Sequence, residues 1–74
     1  MFKTKDLELA TVLKTTNHAI KKYERVGREV WFYFEDEEDC RKTHMDFINK
    51  KLKINPRELF SNHRELKNIT INLV

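Results

Sequence analysis

The single glycine of this 74-residue chain lies between two runs of β-prone residues, and this arrangement constrains the fold more than any other feature. The runs span 18–25 and 29–35. A turn that needs a positive φ favours glycine, so the two runs are predicted to pair as an antiparallel hairpin with Gly27 at its turn.

Two registers of this hairpin are open from the sequence. A type I turn at 25–26, with Gly27 as a bulge, pairs Glu24 with Arg28 and Ile20 with Phe32. A two-residue turn at 26–27 instead sets Glu24 opposite another glutamate, and like charges directly opposite each other destabilise a strand pair. The bulged turn is therefore preferred.

Alternation along the second strand assigns its side chains to two faces. The inward face is predicted to carry Val30, Phe32 and Phe34, together with Ile20 from the first strand. The outward face is predicted to carry Trp31 and Tyr33, together with Ala19, Lys21 and Tyr23.

A first helix is predicted over 5–15, before the hairpin. Thr4 is the predicted N-cap, and acidic residues in the first turn suit the helix dipole. Asn17 is the predicted C-terminal cap because asparagine tolerates the left-handed conformation.

Two further helices are predicted after the hairpin. Helix two begins after Asp36, and its apolar stripe contains Cys40, His44, Phe47 and Ile48. Helix three begins with Asn55 as N-cap, Pro56 at the first helical position and Glu58 in a capping-box position. Between these helices, 51–54 alternates and predicts a short edge strand, while 69–74 is β-prone and predicts a further strand or a tail packed on the core.

These elements predict one α+β domain spanning 1–74, in which a helix, a β-hairpin and two helices form a small antiparallel sheet covered by helices on one face. The apolar 39% of the chain is clustered and periodic, which favours a folded domain over a disordered one. One cysteine implies no disulfide, and no apolar run suits a signal peptide or a membrane span. A cytoplasmic protein without membrane association is therefore predicted.

The residues Thr4 to Ala10, Val30 to Asp36, Ile54 to Phe60 and Arg64 to Lys67 resemble a family of short proteins of unknown function found in bacteriophages and bacterial mobile elements. The resemblance covers most of the chain and implies a phage or prophage origin, and hence the cytoplasm of a bacterial host. Members of that family have a glycine before the histidine, where this chain has Asn17 before His18. The resemblance implies no activity, cofactor or site residues.

Neither a catalytic nor a metal site is predicted. Cys40 and His44 are four residues apart on one helix face, but zinc needs four ligands in recognisable spacings, and only His18 and His63 remain as candidates. We therefore expect a protein that is not an enzyme, without cofactor, metal or small-molecule substrate.

The leading prediction is a protein–protein interaction module, which binds a second copy of itself or a host factor. Exposed aromatic residues are favoured anchors of protein interfaces. The candidate interaction surface is the outward side of the hairpin, with Lys21, Tyr23, Trp31 and Tyr33.

The alternative prediction is a nucleic-acid-binding accessory protein that uses the same aromatic residues to stack bases. The net charge of +3 permits an anionic partner without demanding one. Its further candidate contacts are the basic residues around the third helix, namely Lys50, Lys51, Lys53, Arg57 and Arg64.

Overall fold

Three helices and one antiparallel sheet form the domain, which confirms the predicted α+β class. The computed structural model describes residues 1–73. The elements are, in chain order, β1 (Phe2–Thr4), α1 (Leu7–Thr15), β2 (Ile20–Val26), β3 (Glu29–Phe34), α2 (Glu37–Ile48) and α3 (Pro56–Leu73).

The sheet has the order β1-β3-β2, so that β3 is the central strand. Strand β1, which was not predicted, pairs with β3 through Phe2 opposite Phe34 and Thr4 opposite Phe32. The first five elements follow the β-α-β-β-α order of a split β-α-β unit. A β-hairpin alone is marginally stable, and β1 supplies its third strand.

The hairpin register differs from both predicted registers. Val26 pairs with Glu29, so the two loop residues are Gly27 and Arg28. Gly27 has φ +64° at the first loop position, where a type II′ turn requires glycine. A bulge between Ile20 and Lys22 shifts the pairing again near the start of β2.

The core lies between the sheet and the helices, on the predicted face. Val30, Phe32 and Phe34 are buried, as predicted. They form one cluster with Leu9, Ala10, Leu13, Cys40 and Leu66. This cluster joins all three helices to the same face of β3, so the prediction that helices cover one face of the sheet is confirmed.

Helix α1 is capped by Asp6 rather than by Thr4, which belongs to β1. The Asp6 carboxylate accepts hydrogen bonds from the backbone N–H groups of Glu8 and Leu9, at 2.9 and 3.3 Å. The predicted C-terminal cap is confirmed, because Asn17 has φ +71°. The N–H of His18 donates to the Leu13 carbonyl in the Schellman pattern.

Helix α2 begins after Asp36, as predicted, but its predicted apolar stripe is wrong in the last turn. Cys40 is buried and His44 is half-buried, whereas Phe47 and Ile48 are exposed. The buried residues of this helix are Cys40 and Thr43, in its first two turns. Its last turn extends beyond the elements on which it packs.

The segment 51–54 is irregular and forms no strand, so the predicted edge strand is wrong. Asn55 caps α3 as predicted, because its side chain accepts hydrogen bonds from the N–H groups of Arg57 and Glu58. The predicted strand at 69–74 is also wrong, because α3 continues to Leu73, whereas the alternative, packing on the core, is confirmed for Ile69 and Leu73; Val74 lies outside the described residues.

Helix α3 packs on α1, and this packing explains why its β-prone end is helical. Leu66, Ile69 and Leu73 recur at helical spacing and face the core. At the helix–helix contact, the Asn62 amide donates to Thr15 Oγ1 at 3.0 Å. Burial of this apolar stripe outweighs the intrinsic β-preference of its residues.

The open face of the sheet as a candidate functional site

The open face, which is the face of the sheet opposite the helices, carries two aromatic residues on its central strand. Trp31 and Tyr33 are two residues apart on β3 and therefore point to the same side. Lys3 and Lys22 lie opposite Tyr33 on the two neighbouring strands, and Glu24 lies opposite Trp31. Both rings are half-buried, so part of each ring remains accessible to solvent.

Three lysine side chains account for this partial cover. The Lys3 and Lys5 ammonium groups lie 5.3 and 5.9 Å from the centre of the Trp31 ring. The Lys22 ammonium lies 4.5 Å from the centre of the Tyr33 ring. These distances are typical of cation–π contacts, which are worth about 0.5–1 kcal/mol at exposed sites. The cover therefore consists of flexible cationic side chains.

Two carboxylates complete the open face. The Tyr33 hydroxyl donates a hydrogen bond to Glu24 at 3.0 Å, while Glu29 forms an ion pair with Lys5. The hydrogen bond to Glu24 raises the pKa of Tyr33 above its usual value, and partial desolvation and the charge of Glu24 act in the same direction. Glu24 thus further favours the protonated form of the Tyr33 hydroxyl.

The substitution Glu24→Gln is expected to lower the pKa of Tyr33 toward the ordinary tyrosine value of about 10, because it removes the negative charge beside the hydroxyl. Titration of the Tyr33 ring carbon by NMR measures this pKa. Glu29→Gln, which changes a carboxylate paired with Lys5, is the matched control and should leave the titration unchanged. An unaltered Tyr33 titration in Glu24→Gln would show that the charge of Glu24 does not act on the Tyr33 hydroxyl.

The structure divides the predicted interaction surface between the two faces of the sheet. Tyr23 lies opposite Phe32 in the register that the turn at Gly27 and Arg28 sets, so the prediction that Tyr23 shares a face with Trp31 and Tyr33 is wrong. Lys21 lies in the bulge, and its ammonium is 3.4 Å from Glu35. Trp31 and Tyr33 remain together, and the lysines nearest to them are ones that the sequence did not indicate.

The basic residues around the third helix are not brought to the aromatic pair. All are exposed, and all lie in α3 or in the segment that joins α2 to α3, two helices on the other side of the sheet from Trp31 and Tyr33; they are Lys50, Lys51, Lys53, Arg57 and Arg64. Lys50 has φ +58° and ends α2 in the left-handed conformation. These residues form no part of the open face.

An open groove of about 490 Å³ lies between β2 and the helical layer. Ile20, Tyr23 and Ile69 contribute its apolar walls, and the ion pair of Lys14 with Glu65 borders it. Helices cover Phe32 completely but leave Tyr23, its neighbour in the sheet, 48% exposed. Strand β2 is therefore the least covered part of the inner face.

The histidine and cysteine residues considered as metal ligands or catalytic groups make structural contacts in the fold. Within residues 1–73, His, Cys, Asp and Glu side chains form no group of three or more suited to a metal. Burial raises the pKa of the Cys40 thiol, and the charges of Asp39 and Asp36 add to this effect. His18 Nε2 lies 2.6 Å from Asp39 Oδ2 and joins the end of α1 to the start of α2.

These features define a small α+β domain with three helices on one face of a three-stranded sheet. The chain belongs to the family described as a domain of unknown function, DUF5659, whose profile matches residues 1–72. Neither a curated protein nor a solved structure matches the chain. Among the described residues, no helix has the length and apolar character required to cross a bilayer.

Proposed function

We propose that this protein binds single-stranded nucleic acid on the open face of its sheet, as a non-enzymatic accessory protein of a bacteriophage or bacterial mobile element. The observation that carries the proposal is the pair Trp31 and Tyr33 on the central strand, with lysine ammonium groups over both rings from the two neighbouring sides of the sheet. The sequence resemblance supports the phage origin, and with it the bacterial cytoplasm.

The spacing of the two rings suits consecutive bases of a single strand. Residues two apart on a strand are about 7 Å apart, and aromatic residues on an antiparallel sheet are a recurrent platform for unstacked bases. Stacking contributes about 1–3 kcal/mol per base, which exceeds the value of an exposed cation–π contact. A base can therefore displace a lysine from the ring at a net gain.

The displaced lysines have a role in the bound state. Their long, flexible side chains allow Lys3, Lys5 and Lys22 to move from the rings to the phosphates of the same strand. Three such contacts predict a slope of about −2 for the logarithm of the binding constant against the logarithm of the salt concentration. Glu24 and Glu29 oppose the polyanion, so we expect weak binding that needs low salt.

Fluorescence anisotropy of a labelled oligothymidylate or oligouridylate at low salt tests this proposal. Trp31→Ala and Tyr33→Ala are each expected to weaken binding by about tenfold or more, because each removes one stacking platform. Phe60→Ala is the matched control, since it removes an exposed aromatic ring from α3, on the other side of the sheet. A duplex of the same length should bind less well, because its bases are already stacked.

Two outcomes would contradict the proposal. One is the absence of any oligonucleotide binding at low salt. The other is an equal loss of binding in Trp31→Ala and Phe60→Ala, which would place the contact away from the open face. Binding lost only on substitution of Lys50, Lys51 and Lys53 would transfer the site to the helical layer.

A protein partner, which the sequence ranked first, is the second candidate function. The observation that favours it is strand β2, which has no second neighbour within residues 1–73 and exposes Tyr23 and Val26 by about half. An exposed strand edge is a template for pairing with another chain. The nucleic-acid proposal comes first because the lysines on the rings supply the charge that a polyanion needs.

A further inference from the structure

We infer that β2 pairs with β2 of a second copy of this chain, in antiparallel orientation and centred on Tyr23. This inference rests on the second candidate function and names its partner. The two-fold axis runs through the Tyr23 pair, perpendicular to the sheet. The result is one continuous six-stranded sheet built from two domains.

The segment 22–24 is complementary to itself in this register, while the flanking pair of Lys21 with Arg25 is like-charged and coincides with the bulge. Lys22 comes to lie opposite Glu24 of the partner subunit, and Glu24 opposite Lys22 of the partner subunit. Opposite charges in directly facing positions stabilise a strand pair, whereas registers that place Lys22 or Glu24 opposite its own copy are penalised. In the monomer both side chains are exposed on the open face and contact Tyr33, and on pairing they exchange these exposed contacts for the opposite charge of the partner subunit.

The backbone of β2 is regular enough to pair with a second chain over the segment that carries the complementary charges. The bulge at Lys21 disturbs the first two residues of β2, but pairing with β3 is regular from Lys22 to Val26. A bulge normally protects an edge strand from association. Here it lies outside the self-complementary segment 22–24.

The apolar contribution comes from the inner face. Tyr23 borders the groove formed with Ile20 and Ile69, and its ring is about half exposed. Across the two-fold axis Tyr23 of the partner subunit lies beside it, and aromatic residues in facing positions attract each other. The pair extends the inner face over the least covered edge of the core.

The contact is small, since it involves one short strand from each subunit. Interfaces of this class are weak, so we expect a dimer that forms at high protein concentration and dissociates on dilution.

Because the axis is perpendicular to the sheet, both open faces lie on the same side. If the first proposal also holds, four aromatic rings then face one nucleic-acid strand.

Sedimentation velocity over a range of concentrations tests the inference. The wild-type chain should show a reversible monomer–dimer equilibrium. Lys22→Glu and Glu24→Lys should each weaken the dimer by at least tenfold, because each places like charges opposite one another twice. An equimolar mixture of the two variants should dimerise again, since every 22–24 contact between unlike chains is then complementary.

Several results would overturn the inference: a monomeric wild-type chain at about 1 mM, single variants that dimerise as well as the wild type, or a mixture that remains monomeric. Circular dichroism of both variants checks that they fold. Failure here is distinguishable from failure of the nucleic-acid proposal, because Trp31 and Tyr33 can bind a short oligonucleotide at concentrations where the chain is monomeric.

Discussion

Replacing Phe32 with alanine is expected to lower the free energy of unfolding by about 3–5 kcal/mol. Phe32 is 1% exposed, and it contacts the helices from the central strand of the sheet. Removal of its ring loses apolar burial and leaves a cavity that the surrounding side chains fill only in part. A domain of this size has little more stability than this, so we expect largely unfolded protein at 25 °C.

The matched control is Trp31→Ala, which removes a larger side chain from the adjacent position of the same strand. Because Trp31 is half-buried under lysines on the open face, we expect a loss of about 1 kcal/mol. Urea denaturation followed by circular dichroism measures both changes. Similar losses for the two variants would contradict the assignment of Phe32 to the core and Trp31 to the open face.

The same strand shows how far local patterns predict this fold. The alternation of 29–34 correctly separated Val30, Phe32 and Phe34 from Trp31 and Tyr33, because one face is buried and the other is not. Asn17 and Asn55 were also predictable, since a cap is set by a few neighbouring residues. Both signals depend on chemistry within a few residues of the chain.

Features that depend on distant contacts were not predictable in this way. Strand β1 has three residues and exists through its pairing with β3, about thirty positions away in the chain. The bulge at Lys21 has no local sequence signature. Because a shift by one residue moves a side chain to the other face of a sheet, the register set by the turn at Gly27 and Arg28 transferred Tyr23 from the predicted surface to the inner face, and the bulge keeps Ile20 on that face as well.

The candidate site was therefore half predictable. Its aromatic residues follow from the period of β3. Its lysines are Lys3 on β1, Lys5 just after β1, and Lys22 on β2, where the register was not predicted. Lys3, Lys5 and Lys22 carry no signal of their own in a chain with 15 basic residues. Their significance arises only from the pairing that brings them beside Trp31 and Tyr33.

The second large loss of stability is expected for a substitution in α3, because few side chains of this helix pack into the core. Leu66 is fully buried and joins α3 to the core cluster. Leu66→Ala is expected to lower the free energy of unfolding by about 2–5 kcal/mol. If α3 separates before the rest unfolds, amide hydrogen exchange will accelerate in 56–73 before it does in β3.

Phe60 and Ile71 provide matched controls on the same helix, because they are 68% and 62% exposed. Phe60→Ala and Ile71→Ala should change stability by no more than about 0.5 kcal/mol, since exposed side chains lose little burial. A large loss in either variant, with a small loss in Leu66→Ala, would mean that α3 presents its opposite face to the core. The β-prone sequence 69–73 would then have no packing reason to be helical, because the stripe of Leu66, Ile69 and Leu73 is what stabilises the helix there.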